Sequence, residues 1–176
     1  MVPDGMVSAV VLATDSARPA VTPEALVRTL AALVPAVVEG VLGDLVLAGR
    51  PGDRDLQRIA DHAGCDVVEA EGADLLGRAL AAVRGPQVLV LLGGEVPGDG
   101  FVEELGDFAA DGVGAARLRR RPSGLVERLA PGLAPVTGVY IDRGRLAPDK
   151  APASLADLSR VIGRAADFTA RTRPLV

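Results

Sequence analysis

The chain has 176 residues, of which 49% are hydrophobic, so it is long and apolar enough for one folded domain and is not a disordered chain. Its 19 basic and 23 acidic residues leave a net charge of −4, and aromatic residues make up only 2%, so neither an electrostatic nor a stacking surface for nucleic acid is expected. One cysteine and one histidine exclude an internal disulfide and a Cys/His zinc site.

The first part of the chain predicts strands alternating with helices. A β-branched run over residues 7–13 indicates a buried strand, and Thr22 followed by Pro23 indicates the start of a helix. Strands are then predicted at 44–48, 65–69 and 87–92, and helices at 53–63, 73–84 and from Phe101. Such alternation is typical of a parallel sheet with helices on both faces. We therefore expect an α/β protein with three layers, α/β/α, and a mainly parallel central sheet.

The rest of the chain predicts shorter elements within the same domain. They are a strand at 113–118, a short helix at 122–129, a strand at 136–141 and a last helix at 154–165. No repeat or low-complexity linker divides the chain, so residues 1–176 are expected to form a single domain. No stretch is apolar enough to span a membrane and the first residues do not form an export signal, which favours a cytoplasmic location.

Several common catalytic and phosphate-binding motifs are absent. The turn from Thr14 to Pro19 lacks the glycines of a dinucleotide-binding fingerprint, and the only lysine, Lys150, does not stand in a P-loop. No G-x-S-x-G elbow occurs, and His62 lies on the polar side of its predicted helix, where a solvated role is expected. Hydrolase and P-loop chemistry therefore have no support.

The loops that follow the first four strands form the candidate site, because ligands of parallel sheets bind beyond the carboxyl ends of the strands. Asp15 and Glu95 are the carboxylates best placed there to reach a ligand or a hard cation, and ordinary surface acids are the alternative interpretation. The four loops are Thr14-Asp15, Gly49-Arg50, Glu71-Gly72 and Gly93-Gly94-Glu95.

Five segments occur in a characteristic order, at residues 8–14, 30–40, 44–48, 59–64 and 89–95, and Gly100-Phe101 then opens a helix. This order resembles family 2 glycosyltransferases of the A-type, nucleotide-diphospho-sugar transferase fold, over roughly residues 7–110. The resemblance implies a nucleotide-sugar-binding half at 7–110 and a shortened acceptor half at 111–176.

The resemblance also implies an activity, which is transfer of a hexosyl group from a nucleotide-diphospho-sugar to an acceptor hydroxyl. The family's metal motif aligns with residues 93–95, which implies Glu95 as a single ligand for weakly held Mg²⁺ or Mn²⁺. The residues implied to bind the nucleotide-sugar are Thr14, Asp15, Gly49, Gly72, Arg78, Gly93 and Gly94.

The chain departs from the family pattern at three places. Ala48-Gly49 stands where family members carry an acidic residue that contacts the nucleotide base. One carboxylate of the metal motif is missing, and no catalytic general base can be assigned. Asp157 is expected to be a first-turn helix acid instead. Two alternatives therefore stay open: a non-catalytic descendant that binds a nucleotide or a protein, and a nucleotidyltransferase with a similar sheet.

One concentrated basic stretch lies at Arg117, Arg119, Arg120 and Arg121. Its guanidinium groups would clamp a diphosphate in place of the lost metal, or would form a solvated strand edge that prevents pairing with another chain. The edge role is the favoured interpretation, and Arg78 has the same two interpretations.

Overall fold

The computed structural model describes residues 7–15, 19–146 and 151–175, and within these ranges one eight-stranded sheet forms the centre of the molecule. The strands lie in the order β3-β2-β1-β4-β7-β6-β8-β5. Their bounds are Val7–Leu12 (β1), Leu42–Gly49 (β2), Asp66–Glu69 (β3), Gln87–Leu92 (β4), Glu95–Pro97 (β5), Ala115–Arg120 (β6), Val136–Asp142 (β7) and Ala166–Pro174 (β8).

The sheet is mixed but mostly parallel. Strands β1 to β4 run parallel, so that Val10 lies between Val46 and Val90, and their carboxyl ends meet at one edge. Strand β7 is antiparallel to both of its neighbours, β4 and β6, while β8 is parallel to β6 and antiparallel to β5. The predicted fold class is confirmed, with β7 and β5 as the reversed strands.

Helices cover both faces of the sheet. Alternate residues of β1 point to opposite sides: Val7, Ala9 and Val11 pack with α1, α2 and α4, whereas Val10 and Leu12 pack with α3 and α6. The helices are Pro23–Val38 (α1), Arg54–Ala63 (α2), Asp74–Ala82 (α3), Phe101–Ala110 (α4), Leu125–Leu129 (α5) and Leu155–Val161 (α6), with single 3₁₀ turns at Pro131–Leu133 and Arg143–Arg145. The three-layer architecture is therefore confirmed.

Local signals fix several helix ends as predicted. The Thr22 hydroxyl accepts a hydrogen bond from the N–H of Ala25 ahead of Pro23, and Asp53 caps α2 through its carboxylate. Gly64 ends α2 in the left-handed conformation, with φ of 69°. The helix α1 continues through Pro35 to Val38.

The structure differs from the prediction in three respects. Strands β5 and β8 were not predicted, and the last helix ends at Val161 rather than 165, because Gly163 takes a positive φ of 58° and β8 begins at Ala166. The edge role of the arginine run is wrong, since β6 pairs on both sides.

Residues 16–18 of the turn after β1, and Lys150, lie outside the described residues. In the described ranges no helix has the length and apolar character needed to cross a membrane.

Candidate functional site

Two clefts open at the edge where the parallel strands end, and both are lined by Leu12, Thr14 and Asp15 at the end of β1. Cleft A, about 610 Å³, lies between the first turns of α1, the turn joining β4 to β5, and Arg120. Cleft B, about 400 Å³, lies beside the β2–α2 and β3–α3 loops. The sheet topology therefore places Thr14 and Asp15 at the junction of the two clefts.

Cleft B has an apolar floor and a polar rim. Leu75, Leu76 and Ala70 supply the floor, and Arg50 and Glu71 stand at the rim. The predicted residue Gly72 also lines this cleft, as does Ala153 from the segment before α6. Such a lining suits a flat ligand with polar edges.

Two predicted site residues do not line either cleft. Gly49 is buried at the end of β2, where a Cβ atom would lie 2.6 Å from Cδ2 of Leu56, so its small size makes room for α2. Its neighbour Arg50 reaches cleft B instead. Arg78 is exposed on α3 and is not among the residues that line cleft A or cleft B.

The glycine pair after β4 forms a tight turn at the wall of cleft A. The Gly93 N–H donates to the Leu12 carbonyl at 2.8 Å, and a Cβ atom at Gly93 would lie 2.9 Å from that oxygen. Gly94 has a φ of 79°, and its N–H donates to the Thr29 hydroxyl at 2.9 Å. Both glycines are thus required by the backbone, and their N–H groups are used inside the protein; contact with a ligand stays a prediction for them.

Glu95 lies at the end of this turn with only 2% of its surface exposed. Its Oε1 accepts hydrogen bonds from Nε of Arg120 at 3.1 Å and from Nη2 of the same guanidinium. Its Oε2 accepts a hydrogen bond from the Thr172 hydroxyl at 2.9 Å, and that hydroxyl lies 2.8 Å from the hydroxyl of Thr137. A buried carboxylate is costly without a partner, and here β6 and β8 supply the partners.

The residues around Glu95 do not fit a divalent cation. Both oxygens of the carboxylate are already engaged, and the adjoining guanidinium carries a charge of the same sign as a metal ion. Throughout residues 7–15, 19–146 and 151–175, no group of three His, Cys, Asp or Glu side chains is arranged to hold a metal. The metal role predicted for Glu95 finds no support in these contacts.

The arginines of the basic run make different contacts. Arg117 donates to the carbonyls of Ser159 and Gly163 at the end of α6, and Arg119 forms an ion pair with Asp167 at 2.9 Å. Arg120 is the member that lines cleft A. The diphosphate-clamp interpretation therefore concerns Arg120.

Two further sequence interpretations agree with the local structure. Asp157 lies in the first turn of α6, where Arg160 pairs with it, so it is a helix acid as predicted. His62 is exposed on α2, with its Nδ1 atom 2.7 Å from the Arg58 carbonyl, and lines neither cleft A nor cleft B.

Other lining residues were missed because they depend on tertiary structure. Arg28 reaches cleft A from the exposed side of α1, which gives no sequence signal distinct from an ordinary surface arginine. Pro174 and Leu175 line cleft A because the unpredicted strand β8 returns beside β5. No sequence pattern indicated that Ala153 lines cleft B.

No protein-family model and no curated protein sequence matches the chain, whereas many solved structures do. Glucosyl-3-phosphoglycerate synthase from Mycobacterium tuberculosis, in complex with Mn²⁺, UDP and phosphoglyceric acid, superposes with a TM-score of 0.59 at 20% identity, covering 80% of this chain and 57% of that one. A mycobacterial protein gives 0.60 at 23% identity, covering 80% and 54%. The same synthase with Mn²⁺, UDP and glucosyl-3-phosphoglycerate gives 0.66 at 18% identity, covering 98% and 73%.

These likenesses establish the fold. The chain has the nucleotide-diphospho-sugar transferase fold, as the resemblance in the sequence implied. It spans just over half the length of the first two of these structures. Mn²⁺ or Mg²⁺ accompanies the nucleotide in solved structures of the synthase.

Proposed function

We propose that this chain binds a nucleotide-diphospho-sugar across clefts A and B. The nucleoside would occupy cleft B, the diphosphate would pass Thr14 and Asp15 into cleft A, and the sugar would lie beyond it in cleft A. The observation that carries the proposal is that two adjoining clefts meet at the carboxyl end of β1, in a fold whose solved examples hold UDP. We also propose that the protein acts in the cytoplasm and that residues 1–176 form a single domain.

The dimensions and lining of the clefts support this assignment. Volumes of about 610 and 400 Å³ lie within the range of small-molecule sites, about 300–1,000 Å³. The apolar floor of cleft B suits a base, and the charged residues Arg28 and Arg120 in cleft A suit an anionic group. No bound metal ion is part of the proposal, because the contacts of Glu95 do not fit one.

Isothermal titration calorimetry with UDP-, GDP-, ADP- and dTDP-sugars, each with Mn²⁺ present, tests this proposal. We expect one of them to bind, and Ala153→Phe to weaken that binding at least about tenfold by filling cleft B. Ala110→Phe is the matched control, since Ala110 is exposed at the end of α4, away from both clefts, and should leave the affinity unchanged. Absence of binding for every sugar nucleotide in the wild type would contradict the proposal.

Sugar transfer to an acceptor hydroxyl is the second candidate function. The observation that favours it is the extent of cleft A, which reaches from Gly94 to exposed Glu24 and Arg28 on α1 and so leaves room for an acceptor beside the donor. Release of free nucleoside diphosphate from the bound sugar nucleotide measures this activity. Turnover supports a transferase, and binding without turnover supports the non-catalytic alternative.

A further inference from the structure

We propose that Arg120 takes the place of the divalent cation, so that the diphosphate of the ligand binds without metal. The inference rests on the proposed function, namely binding of a nucleotide-diphospho-sugar across clefts A and B. The position that the resemblance aligns with a metal motif holds a carboxylate already paired with a guanidinium.

The guanidinium of Arg120 is held in a fixed orientation at the wall of cleft A. Two of its nitrogens, Nε and Nη2, donate to Glu95, and Thr172 holds the other oxygen of that carboxylate. Glu95 is 2% exposed, whereas the Arg120 side chain is 27% exposed and lines the cleft. The buried carboxylate therefore positions a cationic group whose outer side faces the ligand space.

Arg120 retains hydrogen-bonding capacity toward the cleft. A guanidinium has five N–H donors in a planar fork, and two of them are directed at Glu95. Within the described parts of the chain, Nη1 of Arg120 has no hydrogen-bond partner. This geometry matches the oxygens of a phosphate group, which arginine binds through paired hydrogen bonds.

The charges that line cleft A indicate why a cationic group is needed beside a bound diphosphate. Asp15, Glu24 and Glu95 bring negative charge to the cleft, and Arg28 and Arg120 bring positive charge. A diphosphate would be repelled by the carboxylates unless cations separated them from it. Arg120 neutralises Glu95 directly and presents its remaining donors to the ligand, which is the task that a metal ion performs when acidic side chains line a diphosphate site.

Metal binding at this position would require loss of the ion pair. A cation that bound Glu95 would meet the like charge of the Arg120 guanidinium, and displacement of that guanidinium would leave it partly buried without its carboxylate. The ion pair and a metal ion are thus alternatives, and the hydrogen bonds in the structure favour the ion pair.

Calorimetric titration of the full chain with UDP, GDP, ADP and dTDP, once with Mg²⁺ and once with excess EDTA, tests the inference. The wild type should bind its preferred diphosphate with the same affinity in both conditions, within about twofold. Arg120→Gln should weaken binding at least about tenfold in EDTA, because a charge-assisted pair of hydrogen bonds to phosphate is lost. Arg121→Gln is the matched control: Arg121 is exposed in the same arginine run and should leave the affinity unchanged.

A second variant distinguishes the loss of phosphate contacts from misfolding as the cause of weaker binding. Arg120→Gln alone leaves the buried Glu95 without its cation, so the double variant Glu95→Gln with Arg120→Gln replaces the ion pair by two neutral amides. We expect this double variant to fold, as judged by circular dichroism, and to bind the diphosphate at least about tenfold more weakly than the wild type.

The outcomes separate the inference from the function on which it rests. Binding that requires Mg²⁺ would overturn the role of Arg120 and leave the proposed function standing. Undiminished binding by the folded double variant would also overturn it. Absence of binding by the wild type in both conditions would overturn both proposals.

Discussion

Tyr140 is the only tyrosine of the chain and lies fully buried on β7. Its hydroxyl is 3.4 Å from the Phe108 carbonyl. Burial raises the pKa of Tyr140 to about 12 from an ordinary value of 10.0, and the nearby carboxylate of Asp142 adds to the rise. Because the chain has a single tyrosine, the near-ultraviolet absorbance of phenolate reports this one residue.

The raised pKa predicts a loss of stability in alkaline solution. The unfolded chain releases the Tyr140 proton first, so the contribution of this group is fully present below pH 10 and is lost as pH rises toward about 12. We expect a phenolate titration midpoint near 12 in the folded protein and near 10 in urea. Tyr140→Phe should flatten the decline in unfolding free energy between these values, and a folded-state midpoint near 10 would contradict the prediction.

At the same scale, the sequence identified two charged members of the candidate site but not how they pair. Glu95 and Arg120 were each selected, one as a metal ligand and the other within a basic run. Their ion pair joins residues 25 positions apart and depends on β6 lying inside the sheet. No local pattern contains that information, since it arises only when β6 and β8 are in place.

At the scale of elements, β8 depends on a side chain of α4. The pairing of β8 with β6 is interrupted by a register shift, and the carboxylate of Glu104 accepts hydrogen bonds from the N–H groups of Thr169 at 2.7 Å and Ala170 at 3.0 Å. Glu104 thus satisfies two backbone donors in the irregular part of the strand. Ala170 is buried whereas Thr169 is exposed, and an unsatisfied donor that is shielded from water costs about 1–3 kcal/mol.

Glu104→Ala should therefore lower the free energy of unfolding by about 2 kcal/mol, measured by urea denaturation with far-ultraviolet circular dichroism. Glu104→Gln retains one acceptor oxygen and should fall between the wild type and the alanine variant. Glu103→Ala is the matched control, because Glu103 is exposed on the same turn of α4 and should change stability by less than about 0.5 kcal/mol. Equal effects of the two alanine variants would show that Glu104 does not support β8.

The elements that could be predicted are those with a strong pattern of their own. Strands β1 and β4 are mostly apolar runs, and α1 and α2 carry capping residues at their starts. Strand β5 has three residues and no pattern, and β8 alternates buried Phe168, Ala170 and Thr172 with polar residues in a segment dense in arginine. Its identity as a strand comes from its contacts with β6, β5 and α4.

At the scale of the whole molecule, the predicted halves at 7–110 and 111–176 share one sheet. Strand β7 from the second half pairs with β4, and β8 pairs with β5, so both halves contribute to the same hydrogen-bonded surface. Each of the two hydrophobic clusters likewise combines residues of both halves, such as Leu105 with Phe168 and Val90 with Ile141. The two halves are therefore joined by one sheet and by shared hydrophobic clusters.

This shared sheet predicts that the chain unfolds in a single cooperative transition. In urea, the loss of helix signal in far-ultraviolet circular dichroism should coincide with the exposure of Tyr140 in near-ultraviolet absorbance, although most helix lies in the first half and Tyr140 lies in the second. A fragment of residues 1–110 should fail to fold, because it would expose the β4 edge and the apolar faces that β6 to β8 cover. Two separated transitions, or a cooperatively folded fragment, would instead mark the halves as independent units, and the ion pair between Glu95 and Arg120 would then join two bodies rather than stabilise one.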